Sequence, residues 1–226
     1  IGETVVTQAL WKAVMGNNPS RFKGENLPVE SISWHDCKAF ISKLNALTGK
    51  NFRMPTEAEW EYAARGGSKS RGYKYSGSNR LGDVAWYEDN SGGKTHEVGY
   101  KRPNELGLYD MSGNVWEWCS DWYGAYSSAS QTNPKGPDSG TYRVFRGGCR
   151  FNFARYCRCS DRNYNDPDER GNGDGLRLCL FDNEESEPSS DIPIVKTYSA
   201  NGVSFDMIKV EGGTFTMGAT PEQGVD

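Results

Sequence analysis

Six cysteines, at positions 37, 119, 149, 157, 159 and 179, are the residues of this chain best suited to redox, metal or nucleophilic chemistry. Their spacing matches no paired CxxC pattern of a zinc site. The histidines, His35 and His96, are too few and too far apart for a histidine-rich metal site or a histidine-based triad. A reactive thiolate needs an activating partner, and no histidine lies near the cysteines at 149–159. Apolar neighbours predict that Cys37 and Cys119 are buried free thiols.

The stretch from Arg143 to Leu180 carries a different chemistry, that of a contact surface. Strand-like runs stand at its two ends, Tyr142–Arg146 and Gly175–Leu180, and no helical or strand period is sustained between them. Asn, Asp, Gly, Tyr, Phe, Cys and Arg dominate the interval, and these residues form turns and contacts rather than a core. Such residues are typical of functional loops on a rigid frame. We therefore predict that the rest of the chain holds this surface in place.

Caps and apolar spacing predict the helices of that frame. A short strand over Ile1–Val6 is followed by three predicted helices, over 8–15, about 34–47 and about 57–65, capped by Thr7, Ser33 and Thr56. The second helix presents an apolar face of Cys37, Phe40, Ile41 and Leu44. From Gly67 to Gly107 isolated aromatic residues indicate ordered coil rather than disorder.

Composition excludes several functions. A net charge of −4 argues against general nucleic-acid binding, which leaves a basic footprint. No apolar run approaches the ~18 residues that span a bilayer, so we predict no direct membrane insertion of this chain.

Seven Trp, twelve Tyr and nine Phe bury a large area each, which predicts a sizeable core despite a hydrophobic content of 35%.

Three motifs give a specific resemblance. They are PTEAEWEYAARGG at 55–67, GLYDMSGNVWEW at 107–118 and YRVFRGG at 142–148. Together and in this order they resemble the formylglycine-generating enzyme (sulfatase-modifying factor) family, a variant of the C-type lectin fold. The resemblance covers nearly the whole chain. It implies a single α+β domain of C-type lectin-like fold, rich in loops, with helices flanking small antiparallel sheets.

The order of the segments is unusual for that family. Val203–Gly218 resembles the start of such a domain, yet it follows the end. We interpret residues 1–181 as the main part of the domain, 182–193 as an acidic linker or leader, and 194–226 as the N-terminal portion of the same domain. A circular permutation, a slice of tandem domains, and a sequence written out of its biological order around a missing loop stay open. We favour the last, and predict a strand over Thr214–Met217 within the domain.

The resemblance also raises an oxidase as the alternative function. Catalytic members of the family carry two cysteines separated by four residues soon after the Gly-Gly pair, and these bind copper and activate oxygen. Here the intervals between Cys149, Cys157 and Cys159 do not fit, and Ala154 occupies a position where the pair would be placed. We therefore expect no catalytic cofactor. The alternative is a copper-dependent formylglycine-generating oxidase acting on sulfatase cysteines.

A structural calcium site is implied by the same resemblance. Matching positions in the family bind calcium through two side-chain oxygens and two backbone carbonyls, which here would be Asp110, Glu117 and the carbonyls of Gly113 and Val115. These are hard oxygen ligands of the kind that calcium prefers. Alternatively, both carboxylates only brace the Gly-Asn turn by hydrogen bonds.

Residues 149–174, here called the display segment, resemble another branch of this fold more closely. In the variable proteins of diversity-generating retroelements, adenine mutation converts Asn codons into codons for Tyr, Asp, Gly, Ser, Phe or Cys, which dominate here. An ordinary noncatalytic family member with a polar loop is the simpler interpretation. The predicted ligand-binding residues are Cys149, Arg150, Phe151, Asn152, Phe153, Tyr156, Cys159, Asp161, Asn163, Tyr164, Asn165, Asp166, Glu169, Gly171, Asn172, Gly173 and Asp174.

The sequence thus predicts a noncatalytic ligand-binding display protein. Tyr and Phe give contact area at little rotamer cost, and Asn, Asp and Gly give adaptable hydrogen bonds, as in antibody paratopes. The expected partner is a protein or a glycan, met at a bacterial cell surface or after secretion, with a lipoprotein anchor outside this chain. Exposed rings should lie above a buried layer of Val144, Leu176, Leu178 and Trp116. Recurrent arginines are expected to brace the segment, and these are Arg146, Arg155, Arg158, Arg162, Arg170 and Arg177.

Overall fold

Three helices begin at the predicted caps in a computed structural model that describes residues 1–180 and 194–218. They are α1 (Gln8–Met15), α2 (Trp34–Thr48) and α3 (Glu57–Ala64), followed by the short α4 (Leu81–Val84) and α5 (Glu88–Ser91). The side chains of Thr7, Ser33 and Thr56 accept hydrogen bonds from first-turn N–H groups, which the helix itself leaves unpaired. A cap of this kind stabilises a helix by about 1 kcal/mol. The three helix predictions are confirmed.

Eight short strands form three sheets among the described residues. In chain order the strands are β1 (Phe52–Arg53), β2 (Trp116–Trp122), β3 (Arg143–Arg146), β4 (Arg162–Asn165), β5 (Asp174–Gly175), β6 (Cys179–Leu180), β7 (Val195–Ala200) and β8 (Val203–Ile208). The largest sheet has the order β4-β3-β2-β5. Within it β3 runs antiparallel to β2 and β4, and β5 runs parallel to β2. The display segment therefore supplies both edge strands of this sheet.

The core beneath the display segment is apolar as predicted. Val144 and Leu176 are fully buried, and Leu178 and Trp116 are exposed by only 2% and 4%. The predicted face of α2 joins Trp116, Leu176 and Leu178 in one buried cluster, and Val144 lies in a second one with Trp60 and Met111. The elements are mixed α+β with long connections, which agrees with the predicted fold class. No helix in the described ranges has the length and apolar character needed to cross a bilayer.

The segment 194–208 packs against the beginning of the chain. Strands β7 and β8 form an antiparallel hairpin whose Ala200 and Met207 lie in the same buried cluster as α1 and α2. The Ile208 N–H donates to the carbonyl oxygen of Ile1 at 2.7 Å, and the Ile1 amino group donates back to Ile208 at 2.8 Å. The predicted acidic segment 182–193 and residues 219–226 lie outside the described residues. The three explanations of the segment order remain predictions.

Three strand predictions need correction. Thr214–Met217 is not a strand; the ring of Phe215 lies 5.5 Å from that of Tyr62 instead. Ile1–Val6 forms only a bridge at Gly2, because its N–H groups bond to carbonyls of different segments, those of Asp206, Leu178 and Leu176, rather than along one strand. The run Gly175–Leu180 divides into β5 and β6. The strand β4 was missed because Arg-Asn-Tyr-Asn is short and polar, and its pairing with β3 is not visible in the sequence.

Candidate ligand-binding surface

A buried ion pair anchors the C-terminal end of the display segment. Two nitrogens of the Arg177 guanidinium lie 2.8 and 2.9 Å from the two carboxylate oxygens of Glu117, and both side chains are fully buried. The guanidinium also donates to three backbone carbonyl oxygens at 2.7–3.0 Å. The Trp60 indole donates to Glu117 at 2.6 Å. The Arg177–Glu117 ion pair thus connects β2, α3, the first residues of the chain and the loop after β5.

A second charged network fixes β3 and β4 to α3. Arg146 is fully buried and bonds to Glu61, with Glu57 at 3.6 Å. Arg162 donates to both carboxylate oxygens of Glu57 at 2.6 and 2.7 Å, and the Tyr126 hydroxyl donates to the same carboxylate at 2.8 Å. Buried charges are costly unless paired, so this network holds the edge strand in one position. Arg146, Arg162 and Arg177 therefore belong to the frame, as expected.

The display segment begins at a turn that requires glycine. Gly147 and Gly148 have φ angles of +97° and +73°, a region that other residues rarely adopt. A Cβ atom on Gly148 would lie 2.7 Å from the Tyr156 carbonyl oxygen and 2.8 Å from the Cys157 sulfur. The chain consequently folds back over its own turn without space for a larger residue.

Arg150 ties the two ends of the display segment together. Its guanidinium donates to the backbone carbonyl and the side-chain oxygen of Asn172, at 2.5 and 3.1 Å. The Cys149 N–H bonds to the side chain of Asn152, and the Asn152 carbonyl accepts from the N–H of Glu88. These contacts close the loop that carries the exposed rings of Phe151 and Phe153.

Several predicted binding residues reach solvent. Phe151, Phe153 and Tyr164 are exposed by 49%, 56% and 43%, which is high for aromatic side chains. Asp166 and Glu169 are also exposed. The half-buried members of the predicted set are Asn152, Tyr156, Asp161, Asn163, Asn165, Gly171 and Asn172. Large rings and adaptable polar groups are therefore both accessible to solvent in the display segment.

Five predicted binding residues are buried instead: Cys149, Arg150, Cys159, Gly173 and Asp174. The reason is structural. Cys149 and Gly173 face each other, since a Cβ atom on the glycine would lie 3.0 Å from the cysteine sulfur. Asp174 accepts from the Gly171 N–H at 3.1 Å, and burial raises its pKa to about 6. These side chains support the loop rather than face a ligand.

A group of tyrosines extends the exposed surface beyond the predicted residues. The Tyr164 ring lies 4.3 Å from that of Tyr123 and 5.0 Å from that of Tyr142, between ring centroids. Nearby, the Arg143 guanidinium lies 3.4 Å from the Trp122 ring centroid and 3.9 Å from that of Trp34. These residues were not predicted, because they come from other elements. The positions of Tyr123, Tyr142 and Tyr164 in the sequence do not show that their rings come together, because only the pairing of β4 with β3 brings them there.

The thiols are held in their unreactive form. All six cysteines are free and buried. Burial raises the pKa of Cys149 and of Cys159 to about 12, and it raises that of Cys157 as well. A thiol with so high a pKa is almost entirely protonated near neutral pH and is a weak nucleophile and metal ligand. Among the described residues no group of three His, Cys, Asp or Glu side chains could hold a metal ion.

The predicted calcium ligands fit the ion in part. Asp110 is buried with a φ of +56°, its Oδ2 accepts from the Gly99 N–H at 2.8 Å, and its Oδ1 has no hydrogen-bond partner. Burial raises its pKa to about 6. Glu117 Oε2 accepts two hydrogen bonds, whereas Oε1 accepts one and so retains a lone pair. Asp110 would therefore be the principal anionic ligand, and calcium would supply a neutralising charge.

We expect calcium to stabilise the fold through Asp110. At about 100 times the dissociation constant, a ligand that binds only the folded state adds about 2.7 kcal/mol to the free energy of unfolding. Calorimetry with chelator and then with excess calcium measures this increment. Asp110→Asn should abolish it, and Asp121→Asn, which alters another buried carboxyl group, should keep it. Equal melting temperatures with and without calcium would show that calcium does not stabilise the fold.

One known family and several known proteins are similar in sequence to this chain. A family model described as a sulfatase-modifying factor enzyme 1-like domain matches residues 2–180. The chaperone protein LppX of Paenibacillus barcinonensis is 39% identical over 198 residues, 66% of this chain and 68% of its own length. The formylglycine-generating enzyme of Mus musculus is 37% identical over 193 residues, 78% of this chain. The chain spans only about half of that enzyme, 50% of its length.

A solved structure with the same architecture is the variable protein 1 of Treponema denticola. It is 39% identical, has a TM-score of 0.74, and the match covers 79% of this chain and 82% of that one. The resemblance to the sulfatase-modifying family and to the variable proteins is thereby confirmed, and so is the C-type lectin-like α+β fold.

Proposed function

The chain belongs to the sulfatase-modifying factor enzyme 1-like domain family, and within that family we propose that it is a noncatalytic protein that displays a ligand-binding surface on residues 149–174. The partner would be a protein or a glycan. A display surface must be accessible to its partner, so we infer that the chain acts at a bacterial cell surface or outside the cell. The similarity to a variable protein of the same architecture supports this proposal.

One observation carries the proposal: large exposed rings stand on a segment whose supporting charges are buried. Phe151, Phe153 and Tyr164 are each exposed by more than 40%. Arg146 and Arg177, which brace the same segment, are fully buried in ion pairs. Exposed substitutions usually change stability by no more than about half a kcal/mol, so the rings can vary while the frame stays constant. Where such rings form one contiguous exposed patch, they mark an interaction site.

A second candidate function, formylglycine generation, is favoured by the names of several relatives. That chemistry requires accessible thiolates, and the three cysteines of the display segment are buried with raised pKa values. An assay with copper and a cysteine peptide derived from a sulfatase separates the two functions. Turnover that is lost in Cys149→Ser or Cys157→Ser would replace the binding proposal.

Replacing Phe151, Phe153, Tyr156 and Tyr164 together with Ser should abolish ligand binding and leave the melting temperature almost unchanged. Binding is measured by surface plasmon resonance against a partner found on panels of immobilised glycans and extracellular proteins. The reason is that Phe151, Phe153 and Tyr164 are largely exposed and supply contact area, while only Tyr156 packs partly against the core, so little core packing is lost.

The matched control is Phe145→Ala, which removes a buried ring of the neighbouring strand β3. Truncating a buried aromatic side chain costs roughly 3–5 kcal/mol, so this variant should melt at a much lower temperature. If the four-serine variant melts as low as Phe145→Ala, the rings are core residues and the display proposal is wrong.

A further inference from the structure

We propose that the outer edge of β4 is a docking site for an extended segment of a partner protein, and that the side chains of Asn163 and Asn165 keep this edge closed until the partner binds. The inference rests on the proposed function, because β4 lies within the display segment. It adds the class of partner, a polypeptide strand, and the atoms that would recognise it.

The strand β4 has one paired side and one open side. It is the first strand in the order β4-β3-β2-β5, and residues 162–165 pair with 143–146 of β3. No other strand in the described ranges pairs with it. The open side of an edge strand presents a row of unpaired N–H and C=O groups, which is a template for another strand.

Two asparagine side chains occupy donors of that row. Asn163 Oδ1 accepts the Tyr164 N–H at 2.9 Å, and Asn165 Oδ1 accepts the Asp166 N–H at 2.9 Å. In an antiparallel pair, alternate residues direct their backbone groups toward the partner strand and away from it. Because the Tyr164 N–H bonds to a side chain, it faces away from β3. The asparagines therefore act as local substitutes for a neighbouring strand.

The substitute at Asn163 is easily displaced, whereas the Asn165 side chain also bonds to the buried Asp174. An intramolecular hydrogen bond of this kind contributes little net stability, and both asparagines are only half-buried. An incoming strand would replace each side-chain acceptor with a backbone carbonyl. Strand addition obtains its affinity from such main-chain bonds and its specificity from side-chain contacts.

The surroundings favour a polypeptide over a glycan. The recognition groups lie along a strand at its regular spacing, which matches a peptide backbone. Tyr164 gives an apolar contact for a side chain of the added strand, and Tyr123 and Tyr142, which lie on the inner side of β4, support its ring. After β4 follow the exposed acids Asp166, Asp168 and Glu169, so a partner segment with Lys or Arg at that end fits best.

The test compares Tyr164→Pro with Tyr164→Ala. Proline removes the outward N–H and is tolerated on edge strands where that N–H faces solvent. Alanine removes the same ring but keeps the N–H. The probe is a set of peptides selected on the natural protein from a phage library of random 12-residue sequences, and binding is measured by calorimetry.

We expect selected peptides to bind Tyr164→Pro at least tenfold more weakly than Tyr164→Ala. The Asn163→Ala variant should bind the same peptides from about twofold to about tenfold more tightly, since no side chain has to be displaced. Should Tyr164→Pro fail to fold, peptides N-methylated at successive positions replace it. Only methylation at alternate residues should then reduce binding tenfold or more.

Equal affinity of the proline and alanine variants would overturn the inference. If both variants lose binding equally, the partner contacts side chains rather than the backbone edge of β4, and the proposed function stands. Recovery of no binding peptide at all also overturns the strand-docking site. If the four-serine variant retains its partner, the proposed function itself fails, whatever the result at the edge of β4.

Discussion

Arg177→Ala should lower the free energy of unfolding by about 3–5 kcal/mol, which is a large part of the stability of an ordinary domain. The Arg177 guanidinium is fully buried and bonds to both oxygens of Glu117 and to three backbone carbonyls. Its removal leaves a buried carboxylate without a compensating charge. Urea unfolding followed by tryptophan fluorescence, in the presence of reductant, measures the loss.

Two controls show whether the uncompensated charge is the cause. Arg170→Ala removes an arginine whose ion pair with Asp36 is at the surface, and its unfolding curve should hardly change. Replacing Arg177 with Met and Glu117 with Leu together should cost much less than Arg177→Ala, because no charge is then left unpaired. A loss below 1 kcal/mol in Arg177→Ala would mean that Glu117 finds another partner.

The chain should be more stable at pH 5.5 than at pH 7.5 in chelator, by on the order of 2 kcal/mol. Burial raises the pKa of Asp110, Asp121, Asp161 and Asp174 from an ordinary value of 3.8 to about 6. From about pH 7 down to about pH 4 the folded state therefore binds more protons than the unfolded state. Stability consequently rises as the pH falls through this range.

Glu59 opposes that trend at lower pH. Burial alone would raise its pKa, but hydrogen bonds from Arg53 and Thr56 bring it below its ordinary value, so its contribution is lost on strong acidification. Denaturant curves at half-unit pH steps test the balance. Asp174→Asn should flatten the rise, whereas Asp168→Asn, an exposed change of the same charge, should not. A stability that increases steadily from pH 5.5 to pH 7.5 would contradict the prediction.

Local features of the fold were predictable from the sequence, and nonlocal ones were not. The helices were found because capping side chains and apolar spacing lie within a few residues of one another. Two-residue strands such as β1 and β5 are defined only by distant partners, so no local pattern marks them. The family motifs indicated the fold, since 55–67, 107–118 and 142–148 form its central part.

The candidate surface was predicted in outline for the same reason. Residue types identified a contact segment, and Phe151, Phe153 and Tyr164 do face solvent. Whether a side chain in an irregular loop points outward depends on contacts across the molecule. Cys149 is buried against Gly173, and Asp174 accepts a hydrogen bond from Gly171. Tyr123 and Tyr142 approach Tyr164 only through the pairing of β3 with β4. No spacing in the sequence contains that information.

The six buried thiols make reversibility of unfolding depend on the solvent's redox state. While the chain is folded, all six are buried, and their raised pKa values disfavour the reactive thiolate. Unfolding exposes all six at once, and their pKa values return toward about 8.5, so a measurable fraction ionises. In aerated buffer, random disulfides would then form faster than slow refolding and trap the chain. Heated samples should recover in reductant and lose recovery progressively in air, so a half-life rather than an equilibrium describes the protein once it is outside reducing conditions.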